Sequence, residues 1–358
     1  MNYNRKKYKY PARYDIEQTL GEFAQRQFVD QFAQSRGVFI TKANQLEFAE
    51  VLSQFFYSHY DLEEIRDVAY KTNENEALSG FILHTEDDEG DPVKALQELR
   101  DSGDLGTDVE IGPINLITSK DGEDTYEGTF NYVNKKPGRI EFLQEENRSF
   151  DFKIKKTGEN EYQILVNGSS PSDSSVFRNA VRKKLGRKAR YEDMDQSALT
   201  SRQTIDFFDL LSDEGLGEDW TVVEVKQLVV RRSDDEDDVE EIDSDQLSGI
   251  TQAVLDGKNL RGNSFVKETE KNGYRFTSMI LRFEHNKIPS VIDIKAEFKF
   301  RPKVFIVDII DYYKREGHES PSLVPDHLDS YLKIDMKIEF WRTAKNIFSR
   351  IQKLQEHE

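Results

Sequence analysis

The chain contains no cysteine among its 358 residues. Disulfides, thiolate nucleophiles, iron–sulfur clusters and cysteine-ligated zinc sites are therefore excluded together. The sequence also lacks a run of about 18 consecutive apolar residues, the length that a membrane-spanning helix needs. Residues 1–13 are basic and tyrosine-rich with no apolar run behind them, so no secretory signal is expected. These absences predict a cytoplasmic protein that makes no membrane contact.

Hydrophobic residues are scarce, at 36% of the chain, and charged residues make up 33%. The 23 phenylalanines and 15 tyrosines still supply large apolar side chains for burial, so the chain is expected to fold. A length of 358 residues suits two or three domains. The formal net charge of -18 repels nucleic acid at a distance. Any contact with a polyanion therefore has to come from a local cluster of positive charge.

The spacing of apolar residues predicts an α+β protein of three parts. Residues 1–75 have helical spacing behind a basic N-terminal arm and are expected to form a small helical module. The module has no marked recognition helix, which favours a packing role over DNA reading. Residues 76–191 are expected to form an antiparallel β-meander with an appended basic helix, because the connections are too short for crossovers. Residues 192–358 are expected to form an antiparallel-rich C-terminal α+β domain closed by a helix.

Two heptapeptides in the C-terminal part, Ile292–Phe298 and Ile334–Phe340, agree at five of seven positions. Both alternate apolar and charged residues, so both are predicted to be strands that bury one face and carry an ionic ladder on the other. Cross-strand charge pairing is favoured over a charged partner for that face. The other predicted strands are 126–133, 139–143, 149–156, 161–166, 220–232, 264–268, 274–284 and 304–310, and the predicted helices after the first module are 92–101, 201–211, 246–255 and 341–355.

The strongest functional signal is Phe177–Arg190, which contains seven Arg or Lys and no acid. Phe177, Val181 and Leu185 recur every four residues, so the segment is predicted to be a helix with one narrow apolar stripe and cationic faces. A second cationic stretch, interleaved with tyrosines, opens the chain, and such stretches contact phosphates and stack on bases. The predicted anion- or nucleic-acid-binding residues are Arg178, Arg182, Lys183, Lys184, Arg187, Lys188 and Arg190, together with Arg5, Lys6, Lys7 and Lys9.

The basic segment has an alternative partner inside the chain. Ser233–Asp245 carries nine Asp or Glu. Since opposite charges attract, the basic segment either binds an external polyanion or pairs with this acidic run. In the second case the run acts as a nucleic-acid mimic that a polyanion or a partner displaces. The sequence leaves both alternatives open.

Catalytic signals are weak. Restriction-endonuclease-like nucleases place an Asp and a Glu-x-Lys on adjacent strands, where the carboxylates hold Mg²⁺ and the Lys assists the attacking water. Any alternating charged strand produces this pattern by chance. The sequence shows no phosphate-binding loop, no histidine pair at metal-ligand spacing and no nucleophile elbow. The residues that match the nuclease pattern are Glu224 and Lys226, with Asp206, Asp209 or Asp219 upstream, and also Glu297 and Lys299, with Asp293 on the same strand.

These patterns favour a non-enzymatic binding or adaptor protein that contacts nucleic acid or another protein through its basic elements. No cofactor or metal is expected. A chain without catalytic motifs fits a component of a prokaryotic multi-protein system, such as one for defence or mobile elements. The alternative is a divergent Mg²⁺-dependent nuclease, in which Mg²⁺ is bound beside Glu224.

Overall fold

A computed structural model describes residues 10–39, 43–70, 76–86, 90–103, 108–118, 124–136, 139–186, 189–232, 252–256, 274–317 and 322–355. Helices and antiparallel strands make up an α+β fold closed by a C-terminal helix, which confirms the predicted fold class. The chain divides into two compact units. The first comprises Met1–Glu74, Gly106–Glu110 and Asn131–Ser149, and the second comprises Asn75–Leu105, Ile111–Phe130 and Phe150–Glu358.

The first unit contains the predicted helices. α1 (Arg13–Gln18) runs into a π-helical turn (Thr19–Phe23), and α2 (Arg26–Ser35), α3 (Gln45–Leu52) and α4 (His59–Tyr70) follow. A capping box starts α3, because the side chain of Asn44 accepts from the amide of Glu47 and the side chain of Glu47 accepts from the amide of Asn44. The apolar faces of the helices share one core, which includes Ile16, Leu20, Val29, Phe32, Phe48, Leu52 and Ile65.

The strands form one sheet, most of which belongs to the second unit. The order is given by β2-β4-β5-β6-β1-β12-β11-β10-β8-β9, with β3 beside β4, β7 beside β1 and β13 beside β12. Pairings with a described register are antiparallel, as predicted. The bounds are β1 (Ala77–Thr85), β2 (Val109–Ile111), β3 (Asn115–Thr118), β4 (Asp124–Lys135), β5 (Glu145–Lys156), β6 (Glu161–Gly168), β7 (Ala189–Asp193), β8 (Trp220–Arg232), β9 (Gln252–Asp256), β10 (Tyr274–His285), β11 (Ser290–Phe300), β12 (Lys303–Glu316) and β13 (Ser322–Pro325).

β1 connects the strands of the predicted meander with those of the predicted C-terminal domain. One edge of β1 pairs with β6 over residues 77–84. The other edge pairs with β12 at Leu78 and Ser79 and with β7 over residues 81–85. The sequence pattern predicts no element here, because residues 78–83 are all buried and a strand covered on both faces lacks polar–apolar alternation.

Helices cover both faces of the sheet in the second unit. They are α5 (Pro92–Ser102), α6 (Pro171–Leu185), α7 (Ser201–Glu214) and α8 (Ser330–Gln355). α7 and α8 share a core with Leu165 of β6 and Leu281 of β10. The ring of Phe177 in α6 lies 4.7 Å from that of Phe152 in β5. Phe152 pairs with Val166 of β6, the residue that follows Leu165. Because successive strand residues point to opposite faces, α6 and α8 lie on opposite faces of the sheet.

One predicted strand, Ile334–Phe340, is part of a helix, and this prediction is wrong. The segment lies inside α8, which begins at Ser330 rather than at residue 341. Its alternating pattern is also compatible with a helix, because Ile338, Trp341 and the residues that follow continue at spacings of three and four and enter the core. The ionic ladder is confirmed only on β11, where Lys295 and Lys299 each contact Glu297, at 2.7 and 2.6 Å.

Two further predictions are wrong. Residues 139–143 form a 3₁₀ turn at Glu141–Leu143 instead of a strand, because the amide of Leu143 donates to the local carbonyl of Ile140. Residues 252–255 of the predicted helix 246–255 belong instead to β9, which pairs with the neighbouring strand β8. The remainder of that helix and the predicted strand 264–268 lie outside the described residues.

Candidate functional site

Residues 177–185 of the basic segment form the C-terminal part of α6, as their spacing predicts. The side chain of Ser170 accepts from the amide of Ser172, and the side chain of Asp173 accepts from the amide of Ser170, which caps the first turn. The predicted stripe of Phe177, Val181 and Leu185 is buried. Gly186 follows the last turn with a φ of 61°, a conformation that favours glycine.

The cations of α6 fall into two groups. Arg178 is half-buried and forms an ion pair with Asp193 of β7. Arg182, Lys183 and Lys184 are exposed in the last turn. We call these three residues the cationic ridge. Arg178 therefore has a structural role inside the fold, while the ridge faces solvent.

Tyr191 of β7 and Glu98 of α5 are neighbours of the cationic ridge. The guanidinium of Arg182 lies 5.4 Å from the centroid of the Tyr191 ring. Burial raises the pKa of Tyr191 to about 12, against the opposing effect of Arg182 and Arg178, so this phenol stays neutral beside the ridge. The Nζ of Lys184 lies 2.8 Å from Glu98 of α5, in an exposed pair of the kind that contributes little stability.

The structure places Arg190, the remaining described cation of the basic segment, away from the ridge. Arg190 is exposed on β7, where it pairs with His84, whereas the next residue, Tyr191, pairs with Leu83. Since strand residues alternate, the side chain of Arg190 points to the face opposite α6. Arg187, Lys188, Arg5, Lys6, Lys7 and Lys9 lie outside the described residues, as does the acidic run Ser233–Asp245, so its pairing with the basic segment stays a prediction.

The Glu224 and Lys226 pattern lies on β8 and meets Asp293, the aspartate that the sequence associates with the second match, Glu297 and Lys299. Glu224 pairs with Arg282 of β10, and Arg282 pairs with Asp293 of β11. Arg282 donates two hydrogen bonds to Asp293, at 2.7 and 2.8 Å. The Nζ of Lys226 lies 2.8 Å from the same carboxylate, whose side chain is fully buried. Glu224 completes the cluster at 3.6 Å from Arg282.

The three upstream aspartates predicted for this site do not reach it. Asp219 forms a 2.6 Å ion pair with Lys287. Asp206 pairs with Arg202 one turn away on α7, at 3.1 Å, and Asp209 lies on the same helix. α7 packs on the sheet face that carries the side chain of Leu281. Leu281 pairs with Val225, so Glu224 and Lys226, on either side of Val225, point to the opposite face because strand residues alternate.

The chemistry of the β8–β11 cluster is that of an ion-pair network. Two carboxylates, Glu224 and Asp293, contact two cations, Lys226 and Arg282, and Asp311 of β12 pairs with Asp293. The hydrogen bonds to Asp293 raise the pKa of Arg282 further above its ordinary value, against the effect of burial. In the described part of the chain, no group of three or more His, Asp or Glu residues is placed to hold a metal ion. The arrangement favours a structural role for the cluster.

A cleft of about 760 Å³ in the first unit is a site that the sequence pattern does not indicate. Its walls come from residues 10–15, from residues 56–66 and from residues 141–145. The rings of Tyr10 and Phe56 stack on one side, 4.9 Å apart and 4° from parallel. We call this site the acidic cleft, because its carboxylates outnumber its cations. No local spacing reveals such a site, since three separate segments contribute to it.

A row of buried polar contacts lies between α8 and the sheet. Lys337, of which only 1% is exposed, donates to the carbonyl of Glu76 and lies 3.5 Å from both Asn167 and Asp308. Burial lowers the pKa of Lys337 and raises the pKa of Asp308. Further along α8, Lys345 forms an ion pair with Glu192 of β7. These contacts join the helix to the sheet and give it a specific position.

No protein-family model matches the chain, and no curated protein matches it either. Among the helices of the described residues, none is long and apolar enough to cross a membrane.

Proposed function

We propose that this chain is a non-enzymatic cytoplasmic binding protein that contacts a polyanion, with nucleic acid as the favoured partner, through the cationic ridge. The observation that supports the proposal is the exposure of Arg182, Lys183 and Lys184 on a single helical turn. Together they place three positive charges on one surface, of the kind that neutralises phosphates. The net charge of -18 limits this attraction to short range.

The ridge sits on a helix that is held firmly in place. The ring of Phe177 lies 5.5 Å from Phe130, 6.0 Å from Phe150 and 4.7 Å from Phe152. Four aromatic side chains thus attach α6 to β4 and β5. A preorganised cationic surface loses less conformational entropy on binding than a mobile one, which favours affinity.

The ridge also has a structural explanation. Cations in the last turn of a helix interact favourably with the partial negative charge of its C-terminus, by about 0.3–1 kcal/mol each. That effect acts on the stability of α6 and requires no ligand. Binding and stability therefore have to be measured on the same variants.

The proposal is tested by fluorescence anisotropy with a labelled 20-base-pair DNA duplex and with a single-stranded RNA of equal length. The test variant combines Arg182→Gln, Lys183→Gln and Lys184→Gln. The control combines Arg350→Gln, Lys353→Gln and Lys303→Gln, which removes the same charge from exposed positions elsewhere. We expect the ridge variant to bind about tenfold more weakly and to reduce the salt slope by roughly 2 to 3, since each neutralised phosphate contributes about 0.9.

Equal affinity of the ridge variant and the unsubstituted chain would contradict the proposal, as would equal losses in the two triple variants. A fall in thermal stability without a change in affinity would leave the helix-terminal effect as the role of the ridge. The nuclease alternative stays a prediction, and so does membership of a prokaryotic defence or mobile-element system. Mg²⁺-dependent degradation of plasmid DNA that Glu224→Ala abolishes would favour the nuclease.

A further inference from the structure

The acidic cleft of the first unit has an exposed aromatic wall. The hydroxyl of Tyr10 accepts a hydrogen bond from the amide of Tyr57, at 2.8 Å, which fixes the Tyr10 ring on which Phe56 stacks. Phe56 is nevertheless 86% exposed. Large exposed aromatic side chains that lie near each other mark interaction surfaces.

The charges around this wall are mostly negative. Among the described residues, four carboxylates line the cleft together with one guanidinium, that of Arg66. Arg66 lies 3.3 Å from Glu63, so it offsets one of the four negative charges and leaves the described lining with an excess of negative charge. His59, 3.6 Å from the same carboxylate, adds charge only when protonated. The other carboxylates belong to Asp15, Glu141 and Glu145.

This combination selects the chemistry of the occupant. An exposed aromatic platform stacks equally well on a nucleobase or on a guanidinium. A nucleotide carries phosphates, which the carboxylates of the cleft repel, whereas a guanidinium stacks on an aromatic face and pairs with carboxylates at the same time. A volume of about 760 Å³ accommodates a short peptide segment.

We propose that the acidic cleft binds a basic peptide segment of a partner protein, with an arginine side chain against Phe56 and its charge facing Glu63, Glu141 and Glu145. Charge complementarity and the exposed aromatic wall carry this proposal. It is independent of the cationic ridge, because the two sites have opposite charge and lie in different units. The chain then has one surface for an anionic partner and one for a basic protein.

The probe is a fluorescein-labelled peptide of alternating glycine and arginine with three arginines, titrated with the full chain at about 0.1 M salt. The same peptide with citrulline in place of arginine is the uncharged comparison. We expect the citrulline peptide to bind at least about tenfold more weakly, because it keeps the shape of arginine and loses the charge.

The aromatic wall is tested by Phe56→Ala, with Phe39→Ala as the matched control. Phe39 lies in the same unit, is 76% exposed and does not line the cleft. We expect Phe56→Ala to weaken binding of the arginine peptide about fivefold through loss of the cation–π contact, and Phe39→Ala to leave it unchanged. Neither ring is buried, so both variants are expected to fold.

The charges are tested by the triple variant Glu63→Gln, Glu141→Gln and Glu145→Gln. Its control is Glu159→Gln, Glu218→Gln and Glu316→Gln, three exposed acids of the second unit whose replacement changes the net charge equally. We expect the cleft variant to bind the arginine peptide about tenfold more weakly and the control variant to bind within about twofold of the unsubstituted chain.

Equal losses in the two triple variants would overturn the proposal, because they would show a general attraction of a basic peptide to an acidic chain. Equal binding of the citrulline and arginine peptides would overturn it as well. If Phe56→Ala weakened the binding of duplex DNA or RNA instead of the peptide, the wall would be a nucleobase platform and the proposal would be wrong. Duplex binding that depends on Arg182 and not on Phe56 keeps the two sites distinct.

Discussion

The Nζ of Lys226 lies 2.8 Å from the buried carboxylate of Asp293. In the nuclease alternative, Lys226 assists a water molecule beside metal-bound carboxylates. In the structure it joins Arg282, whose guanidinium donates to both oxygens of Asp293. Because every oxygen of this carboxylate has a cationic donor, the cluster stabilises the packing of β8, β10 and β11.

We therefore expect Asp293→Asn to lower the free energy of unfolding by about 3 kcal/mol, since it leaves Arg282 and Lys226 partly buried without their counter-charge. Urea denaturation followed by circular dichroism measures this change. Asp206→Asn, which removes an exposed pair on α7, serves as the control with an expected effect below about 0.5 kcal/mol. Unchanged stability together with loss of a Mg²⁺-dependent cleavage would instead identify Asp293 as catalytic.

Glu146 predicts a pH dependence of stability in the first unit. Its side chain is 6% exposed and lies 2.9 Å from Arg148 and 3.0 Å from Lys136. Burial raises the pKa of Glu146, but hydrogen bonds from Arg148, Lys136 and Asn134 outweigh burial and hold it below its ordinary value. A carboxyl with a lowered folded pKa adds stability above its unfolded pKa and loses that contribution as the pH falls through the folded value.

We expect Glu146→Gln to cost about 3 kcal/mol at pH 7, because the cations around it lose their buried partner. The difference between the variant and the unsubstituted chain should shrink as the pH falls below about 4. Urea denaturation at a series of pH values between 3 and 7 provides the measurement. A difference that stays constant over this range would show that the ionised carboxylate is not what stabilises the site.

Lys337 and Asp308 predict a strong coupling between α8 and β12. Lys337→Met alone leaves Asp308 buried without its ion-pair partner and is expected to destabilise the chain by about 3 kcal/mol. Adding Asp308→Asn removes the uncompensated charge, so we expect the double variant to recover most of that loss. A double-mutant cycle should give a coupling energy above about 1 kcal/mol. Additive effects would mean that the two side chains do not act as a pair.

Gly80 lies where α8 packs closely on β1. A Cβ at this position would lie 2.6 Å from the carbonyl oxygen of Ile164 and 2.9 Å from the Trp341 ring. We expect Gly80→Ala to destabilise the chain by about 1–3 kcal/mol through overpacking. In Gly158→Ala the nearest atom, the Cβ of Glu161, is 3.2 Å away at an exposed turn, and a change within about 0.5 kcal/mol is expected. Similar melting temperatures for both variants would contradict the packing of α8 on β1.

Local periodicity predicts several elements well. β8 begins and ends at the predicted residues 220 and 232, and α7 begins at the predicted Ser201. In β8 many polar and apolar residues alternate, so the pattern identifies the strand. The same reasoning misses β1 because that strand is covered on both faces. Ile334–Phe340 is mistaken for a strand because its apolar and charged residues alternate, although its apolar residues also fit a helical face.

The candidate sites were predictable to a smaller extent. The apolar stripe of α6 follows from the spacing of Phe177, Val181 and Leu185, and with it the exposure of the ridge on the other side of the helix. The assignment of Arg178 to an internal ion pair and of Arg190 to the opposite face required the position of β7 beside β1. The acidic cleft was not predictable, because its walls come from three segments that are far apart in the chain.

By itself, the sequence determined the α+β class, the absence of cysteine chemistry, the helical first module and the amphipathic form of α6, because these depend on composition and on spacing within one segment. Only the tertiary structure decided which charges meet. Lys226 contacts Asp293, which lies 67 residues away, rather than any of the aspartates upstream of it. Such partners depend on the order and register of the strands in the sheet, which local spacing does not encode.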